Sequence, residues 1–266
     1  MEELHPSVVV GVVGLALLYA GAAVGLRRRA SARQAVAFIA ALATIFVALD
    51  GPVDRIADGR GFAAHMLQHL LLGLVMPPLL LLGLPDWMLR PLLHRHALRA
   101  FARFLTHPIV AFALYNSFLA VIHTPPVFEW MVRDDAAHIV MHLGLMVAGT
   151  LVWWPLLSPL PELPRLPYPA QTLYMFLLLI PMAAVSAPIT LASQVIYPWY
   201  LEGPHPGGLT PLADQVLGGL LMWVGAGLYL MCVFSMMFFR WAQREDRDEP
   251  PAGRPLASAR LTRVIS

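Results

Sequence analysis

Five of the ten histidines in this 266-residue chain lie near the ends of three strongly apolar segments. His65 and His69 are four positions apart, His138 and His142 repeat that spacing, and His123 closes a third segment. Residues four apart share one face of a helix, so each pair can present two imidazoles to the same ion. Imidazole is the commonest metal ligand in proteins, and polar groups at membrane depth usually mark a functional site. The pattern therefore predicts a metal site, with a metal-free polar network between helices as the alternative.

The other ligand types in the chain narrow the choice of metal. The only cysteine, Cys232, lies in an apolar run, so the ligands must be nitrogen, oxygen or thioether sulfur. Met66 and Met141 stand next to the histidines and are predicted as accessory ligands. Thioethers favour Cu(I), and imidazole suits both copper and zinc. The set favours copper in either oxidation state, with zinc second.

Carboxylates near the same level of the chain complete the predicted site. A ligating histidine usually donates its other N–H to a carboxylate or a carbonyl. Asp50 ends the second apolar segment and is predicted to orient a ligand or to bind the ion itself, with Asp54 and Glu129 as further candidates for orientation. Asp214 begins the last segment and is predicted as an accessory ligand. The predicted primary ligands are His65, His69, His138 and His142, followed by His123.

The histidines need a membrane-embedded scaffold to bring them together. The chain is 58% hydrophobic and only 13% charged, whereas soluble domains carry about 25% charged residues. Segments of roughly 20 apolar residues can span a bilayer as helices. We predict an all-α polytopic membrane protein, a seven-transmembrane helix bundle within residues 1–245, and a disordered cytoplasmic tail over 246–266. The predicted spans are 8–26, 33–50, 65–84, 107–123, 135–155, 170–192 and 211–239.

Arginine placement predicts the orientation of the bundle. Of 18 basic residues, all but Arg55, Arg60 and Arg133 lie in the C-terminal tail or in the loops that follow the first, third and fifth spans. The positive-inside rule then puts the N-terminus outside and the C-terminus in the cytoplasm. The protein would lie in a bacterial inner membrane, with the histidines near the periplasmic face. His5, in the N-terminal tail, is expected only to form hydrogen bonds at headgroup depth.

The absence of lysine excludes several functional classes. All 18 basic residues are arginine, so the chain cannot form a retinal or pyridoxal-phosphate Schiff base or supply the lysine of a phosphate-binding loop. We also expect no nucleic-acid partner. The seven predicted spans are therefore not those of a retinal-binding photoreceptor.

Four blocks in this order resemble the CtaG family of multi-helix membrane proteins, which are associated with assembly of caa-type cytochrome c oxidases. The blocks are His65-Met-Leu-Gln-His69 continuing to Pro77-Pro78, the segment 107–123, His138-x-x-x-His142 ending at Trp154-Pro155, and Asp214-Gln215-x-x-Gly218-Gly219-x-x-Met222-Trp223. The resemblance implies a role in maturing a haem–copper oxidase by delivering copper. It implies oxidase subunits as partners beside the lipid bilayer, with other copper chaperones and a second copy of the chain as further candidates.

We therefore predict a copper-binding assembly factor that is not an enzyme, and three alternatives stay open. An intramembrane zinc-dependent hydrolase would use three histidines, an aspartate and an activated water. A haem-binding electron carrier would need two histidines on opposed helices that bracket a porphyrin. A plain scaffold would use the histidines as a polar network without metal.

Overall fold

The computed structural model describes residues 5–202 and 208–248, with side chains of the last helix given up to Gln243. Within these ranges the chain forms helices and loops and no strand. Six helical segments are long and apolar enough to cross a membrane, and a bent pair of helices raises the number to seven. The prediction of an all-α polytopic membrane protein is confirmed, with six to seven spans. Residues 246–248 of the predicted tail belong to the last helix, which is described up to Asp248, and the rest of the predicted tail lies outside the described residues.

The helices follow the predicted apolar segments closely, with several short helices between them. Their bounds are α1 Pro6–Gly25, α2 Ala32–Leu49, α3 Pro52–Asp58, α4 Phe62–Leu70, α5 Met76–Gly83, α6 Asp86–Leu89, α7 His96–Leu105, α8 Pro108–Ile122, α9 Pro125–Arg133, α10 Asp135–Leu157, α11 Tyr168–Leu191, α12 Pro211–Leu220 and α13 Ala226–Asp248. Single π turns, Leu71–Val75 and Leu221–Gly225, join α4 to α5 and α12 to α13. Short 3-10 turns cover Arg90–His94 and Pro198–Leu201.

The fourth predicted span is the least regular. α8 has 15 residues, and the axis of α7 is bent from it by 63°. At 1.5 Å per residue α8 is about 22 Å long, shorter than the roughly 30 Å hydrocarbon core. α7 exposes Phe101 and Phe104 beside Arg99 and Arg103, a composition typical of helices that lie in the membrane interface.

Paired prolines explain the π turn below the first histidine pair. Pro77 and Pro78 carry no N–H, so the carbonyls one turn earlier lose their helical donors. The freed carbonyl of Leu74 accepts a hydrogen bond from the Tyr229 hydroxyl at 3.1 Å. π turns of this kind occur often at functional sites. Here the turn links the histidine-bearing α4 to α13 through a side chain.

Small residues let the histidine-bearing helices approach each other closely. A Cβ added at Gly149 of α10 would lie 2.6 Å from the Gly73 carbonyl oxygen. A Cβ added at Gly218 of α12 would overlap the Phe62 ring at the start of α4. Close backbone contact through glycine is the usual way that helices associate in lipid. These two contacts fix α4 between α10 and α12.

The main apolar core lies among α2, the α4–α5 segment, α8, α10, α11 and α13. Leu72, Leu145, Trp153 and Met175 are each buried in it, at 0–1% exposure. By contrast α1, all of which is described, has no buried residue. Its packing rests on partly buried side chains and on a hydrogen bond from the Tyr19 hydroxyl to the Gly83 carbonyl at 3.0 Å. α1 is therefore the most loosely attached span.

Candidate metal centre

Three helices meet at one end of the bundle and bring all five predicted histidines together. α4 and α10 begin at this end, and His123 directly follows the last residue of α8. Ring centroids are 4.5 Å apart for His65–His69 and for His138–His142. Between helices, they are 5.1 Å apart for His65–His138 and 5.4 Å for His69–His123. We call this group of five rings the imidazole cluster.

The imidazole cluster is buried and short of hydrogen-bond partners. His65 and His69 are 3% exposed, His123 6% and His142 7%. Within the described residues, the Nε2 atom of every ring in the cluster is buried without a partner, and so is Nδ1 of His69. Each such atom costs about 1–3 kcal/mol in lost hydration. Hydrogen bonds within the cluster leave these atoms unpartnered, whereas a bound cation would use the lone pair on one nitrogen of each ring.

Three of the rings already approach the geometry of a ligand set. His65, His138 and His142 each place a nitrogen within 4.8 Å of the other two. Zinc or copper bound at about 2.0–2.1 Å in a tetrahedral site needs nitrogens about 3.3 Å apart. Small rotamer adjustments would close these three rings around one ion. The donor set fits a borderline metal such as copper or zinc.

Hydrogen bonds behind the rings orient two of the imidazoles. The Leu119 carbonyl lies 2.7 Å from His123 Nδ1, and a carbonyl only accepts, so Nδ1 carries the proton. Nε2 of His123 therefore keeps its lone pair for a ligand. The Tyr200 hydroxyl lies 2.8 Å from His65 Nδ1. Burial raises the pKa of Tyr200 well above its usual 10, so the phenol stays protonated and serves as a hydrogen-bonding partner.

Buried aromatic side chains close the cluster at the end of the bundle. We call Phe62, Phe128, Tyr197 and Tyr200 the aromatic cap; each is at most 2% exposed. The Phe128 ring on α9 lies 5.4 Å from His65. The Tyr197 hydroxyl donates to the His123 carbonyl at 2.9 Å. The cap keeps bulk water from the rings on this side.

Polar contacts hold the aromatic cap in place. Glu129 of α9 accepts a hydrogen bond from the Trp199 amide at 2.9 Å, close to the tyrosines of the cap. Arg133 joins Glu129 to Glu202 by contacts of 3.1 and 2.7 Å. The hydrogen bond from Arg133 lowers the pKa of Glu202. Glu129, predicted as a candidate to orient a ligand, fixes the loop that carries Tyr200.

The predicted aspartates Asp214 and Asp50 accept hydrogen bonds from backbone amides. Asp214 accepts from the Phe62 amide at 2.6 Å and from the Ala63 amide at 3.2 Å. It thus supplies the N-terminal cap of α4, where Gly61 has no side chain to do so. Asp50 accepts from the His5 amide at 2.9 Å. Within the described residues neither aspartate forms a hydrogen bond to the imidazole cluster.

The two predicted methionines pack in apolar clusters. Met66 is fully buried among Phe62, Tyr197 and Met222. Met141 is buried beside Ile122. Their positions account for both side chains as core residues, and their role as ligands stays a prediction.

Sequence reasoning missed the two partners that orient the rings. The Leu119 carbonyl could have been found, because it precedes His123 by four residues at the end of a helix. Tyr200 lies in a loop between α11 and α12. No spacing in the sequence connects it to His65.

Comparison with known proteins supports the resemblance. Residues 17–244 match the family model described as cytochrome c oxidase caa3 assembly factor (Caa3_CtaG). The chain belongs to this family. The match covers every residue of the imidazole cluster, and the family is one of oxidase assembly factors. The predicted resemblance to CtaG proteins is thereby confirmed.

Curated relatives of this CtaG-family chain occur in mycobacteria. It is 29% identical over 262 residues to the uncharacterized proteins Mb0105 of Mycobacterium bovis and MT0111 of Mycobacterium tuberculosis, covering 89% of this chain and 38% of each relative. Identity to the uncharacterized protein ML1998 of Mycobacterium leprae is 26% over 208 residues, covering 70% of this chain and 31% of that protein. The chain thus spans less than two-fifths of the length of these relatives. No solved structure matches it significantly.

Proposed function

We propose that this CtaG-family chain binds copper in the membrane and delivers it to a haem–copper cytochrome c oxidase, without catalysing a reaction itself. The observation that carries the proposal is the imidazole cluster: five rings from three helical segments, each with a buried Nε2 that lacks a partner. Family membership supplies the link to oxidase assembly. The copper cargo and its delivery are inferred from the chemistry of the donors.

The arrangement suits an ion that must be released. Nitrogens of His65, His138 and His142 lie within 4.8 Å of one another, and a closed tetrahedral site needs them about 3.3 Å apart. An ion that brings the rings to that spacing on binding would let them relax on transfer. The arginine distribution favours the periplasmic face of the membrane for this end of the bundle, and there we expect the oxidase to receive its copper.

Metal analysis of the purified full-length chain tests the proposal. We expect the double variant His65→Ala plus His142→Ala to lose bound copper. The matched control is His94→Ala plus His96→Ala, because both histidines are exposed in a connecting segment. The control should retain the wild-type copper content. Equal copper in all three proteins would refute the proposal.

A cellular measurement tests delivery separately from binding. The double variant His65→Ala plus His142→Ala, expressed in place of the wild-type chain, should reduce the copper content and activity of the cell's haem–copper oxidase. The control pair should leave both unchanged. If the purified wild-type chain binds copper but the oxidase is still fully loaded in cells that express the double variant, binding is supported and delivery is contradicted.

One observation favours a second function, a zinc-dependent hydrolase. A cavity of about 450 Å³ is lined by His138, His142 and Asp135, so a metal at the three-histidine set would face an open space beside a carboxylate. A hydrolase would contain zinc and would lose turnover of a lipid-like ester or amide when Asp135→Asn removes the carboxylate. The haem alternative gains no such support, because the rings pack against one another at centroid distances of 4.5–6.1 Å.

A further inference from the structure

A second group of ligand-type side chains lies next to the imidazole cluster. His5 Nε2 is 3.2 Å from Asp54 Oδ2 and 3.7 Å from Asp58 Oδ2. Ligand atoms of the three residues all lie within 4.8 Å of one another. The group joins the start of α1 to α3, two elements that sequence reasoning did not connect. His5, expected only to form hydrogen bonds at headgroup depth, therefore belongs to a group of three possible metal ligands.

Asp54 is held in place by the helix that carries the first histidine pair. Its side chain is buried, and Oδ1 accepts a hydrogen bond from Gln68 Nε2 at 2.8 Å. Gln68 also donates to the Ala48 carbonyl at 2.8 Å and lies one residue before His69 on α4. With Oδ1 fixed in this way, Oδ2 of Asp54 is directed at His5. One oxygen of the Asp54 carboxylate is thus held by α4, which carries His65 and His69, and the other faces His5.

One cavity connects the two groups. The 450 Å³ cavity is lined by His5, Asp54 and Asp58 and also by His138 and His142. Nε2 of His142, a residue only 7% exposed, is buried without a partner, as is Nε2 of His138. The side chains of His138 and His142 therefore border the same cavity as the carboxylates, while their Nε2 atoms are themselves buried. Apolar side chains from α1, α2 and α10 form the remaining wall.

Charge in the cavity favours cations. Asp54, Asp58 and Asp135 line it, and no arginine does so among the described residues. Clefts lined by one sign of charge raise the local concentration of the opposite ion and its association rate by about 10- to 1000-fold. One imidazole and two carboxylates also form a donor set that suits divalent transition metals. The aromatic cap closes the end of the cluster, so the cavity is the polar approach to it.

We propose that His5, Asp54 and Asp58 form a second metal-binding site, which captures a divalent transition-metal ion and passes it through the cavity to the imidazole cluster. The transfer changes no oxidation state, since the ion only exchanges one set of ligands for another. The inference rests on the proposed function in one respect: the acceptor is the imidazole cluster. A purely structural reading, in which His5 and Asp54 only attach α1 to α3, predicts a loss of stability without a change in metal loading.

The experiment uses the purified full-length chain and buffered Cu²⁺. Asp58→Asn removes a half-exposed carboxylate, and Asp54→Asn keeps an oxygen that can accept from Gln68. The matched control is Asp86→Asn, a half-exposed carboxylate paired with Arg90 at the opposite end of the bundle. Stoichiometry comes from metal analysis, and loading rates come from rapid mixing. Electron paramagnetic resonance separates copper with one nitrogen ligand from copper with several.

We expect the wild type and the control to show both kinds of Cu²⁺ signal. Each cavity variant should lose the one-nitrogen signal and load the nitrogen-rich site about 10-fold or more slowly, with unchanged final occupancy of the latter. Unchanged loading rates and an unchanged one-nitrogen signal in both variants would overturn the proposal. Asp58→Asn decides the matter if Asp54→Asn fails to fold, because Asp58 is half-exposed.

The outcome also separates this proposal from the proposed function. If the wild type shows only the one-nitrogen signal, the imidazole cluster does not bind copper, and the proposed function fails together with the transfer step. If the nitrogen-rich site fills at the same rate in the wild type and the cavity variants, and the one-nitrogen signal is unchanged, only the second site is wrong. His142→Leu should remove the nitrogen-rich signal and keep the other.

Discussion

Replacing His69 by leucine should stabilise the metal-free protein, which is an unusual outcome for a buried residue. Both ring nitrogens of His69 are buried without a partner in the described structure. Each such atom costs about 1–3 kcal/mol, and leucine fills a similar volume without polar atoms. Allowing for imperfect repacking, we expect His69→Leu to raise the free energy of unfolding by about 2 kcal/mol. Most core substitutions act in the opposite direction.

Thermal unfolding of the detergent-purified protein, without and with copper, measures this effect. A gain of about 2 kcal/mol corresponds to a rise in Tm of about 4–8 °C for a chain of this size. Copper at about 100 times its Kd should stabilise the wild type by about 2.7 kcal/mol. The variant should show a smaller copper-induced rise, because it has lost a ligand. The variant should therefore be more stable without copper and respond less to it.

An exposed histidine provides the control for His69→Leu. His94→Leu changes an exposed histidine in the loop after α6 and should leave both the Tm and the copper response as in the wild type. A lower Tm for metal-free His69→Leu would show that the ring is already satisfied within a polar network. The inference of a metal site from unpartnered nitrogens would then be refuted.

Three further substitutions test the supports of the site. Gly149→Ala puts a Cβ 2.6 Å from the Gly73 carbonyl and should cost about 1–3 kcal/mol of stability in denaturant titration; Gly227→Ala, with nothing within 4 Å of its Cβ, is the control and should be nearly neutral. Asp214→Ala removes both acceptors at the start of α4 and should cost about 1–2 kcal/mol; an unchanged free energy of unfolding would contradict its capping role. Tyr200→Phe leaves His65 Nδ1 without its partner and should weaken copper binding about 10- to 100-fold in a competition titration, whereas Tyr19→Phe, whose hydroxyl contacts Gly83, should not.

The long helices could be predicted because the bilayer imposes their length. Every predicted apolar segment corresponds to one helix, or to two helices joined by a π turn. The outer ends differ from the prediction by a few residues, apart from the last, which continues to Asp248. The short helices α3, α7 and α9 were not predicted, since they are too short to give a clear period. α9 is held by tertiary contacts of Phe128, which is fully buried against the other residues of the aromatic cap. Such contacts are not visible in local sequence.

The histidines could be predicted better than their surroundings. Spacing places His65 with His69 and His138 with His142, and alternating helix direction brings them to one end with His123. Sequence thus defines the level of a side chain along the bundle. It does not define the direction of the side chain around the helix axis. Asp214 was expected at the correct level, but its carboxylate faces the amides of α4, which only the packing of α12 on α4 determines.

The weak attachment of α1 makes this helix the wall of the cavity that is most easily displaced. This helix forms one wall of the cavity yet buries no residue of its own. Moving it sideways in the membrane would break the contacts of His5 and Tyr19 but would leave the packing of the other spans intact. A neighbouring membrane protein that binds to α1 could therefore uncover His138 and His142 at little energetic cost, and the exchange of an ion could be coupled to complex formation.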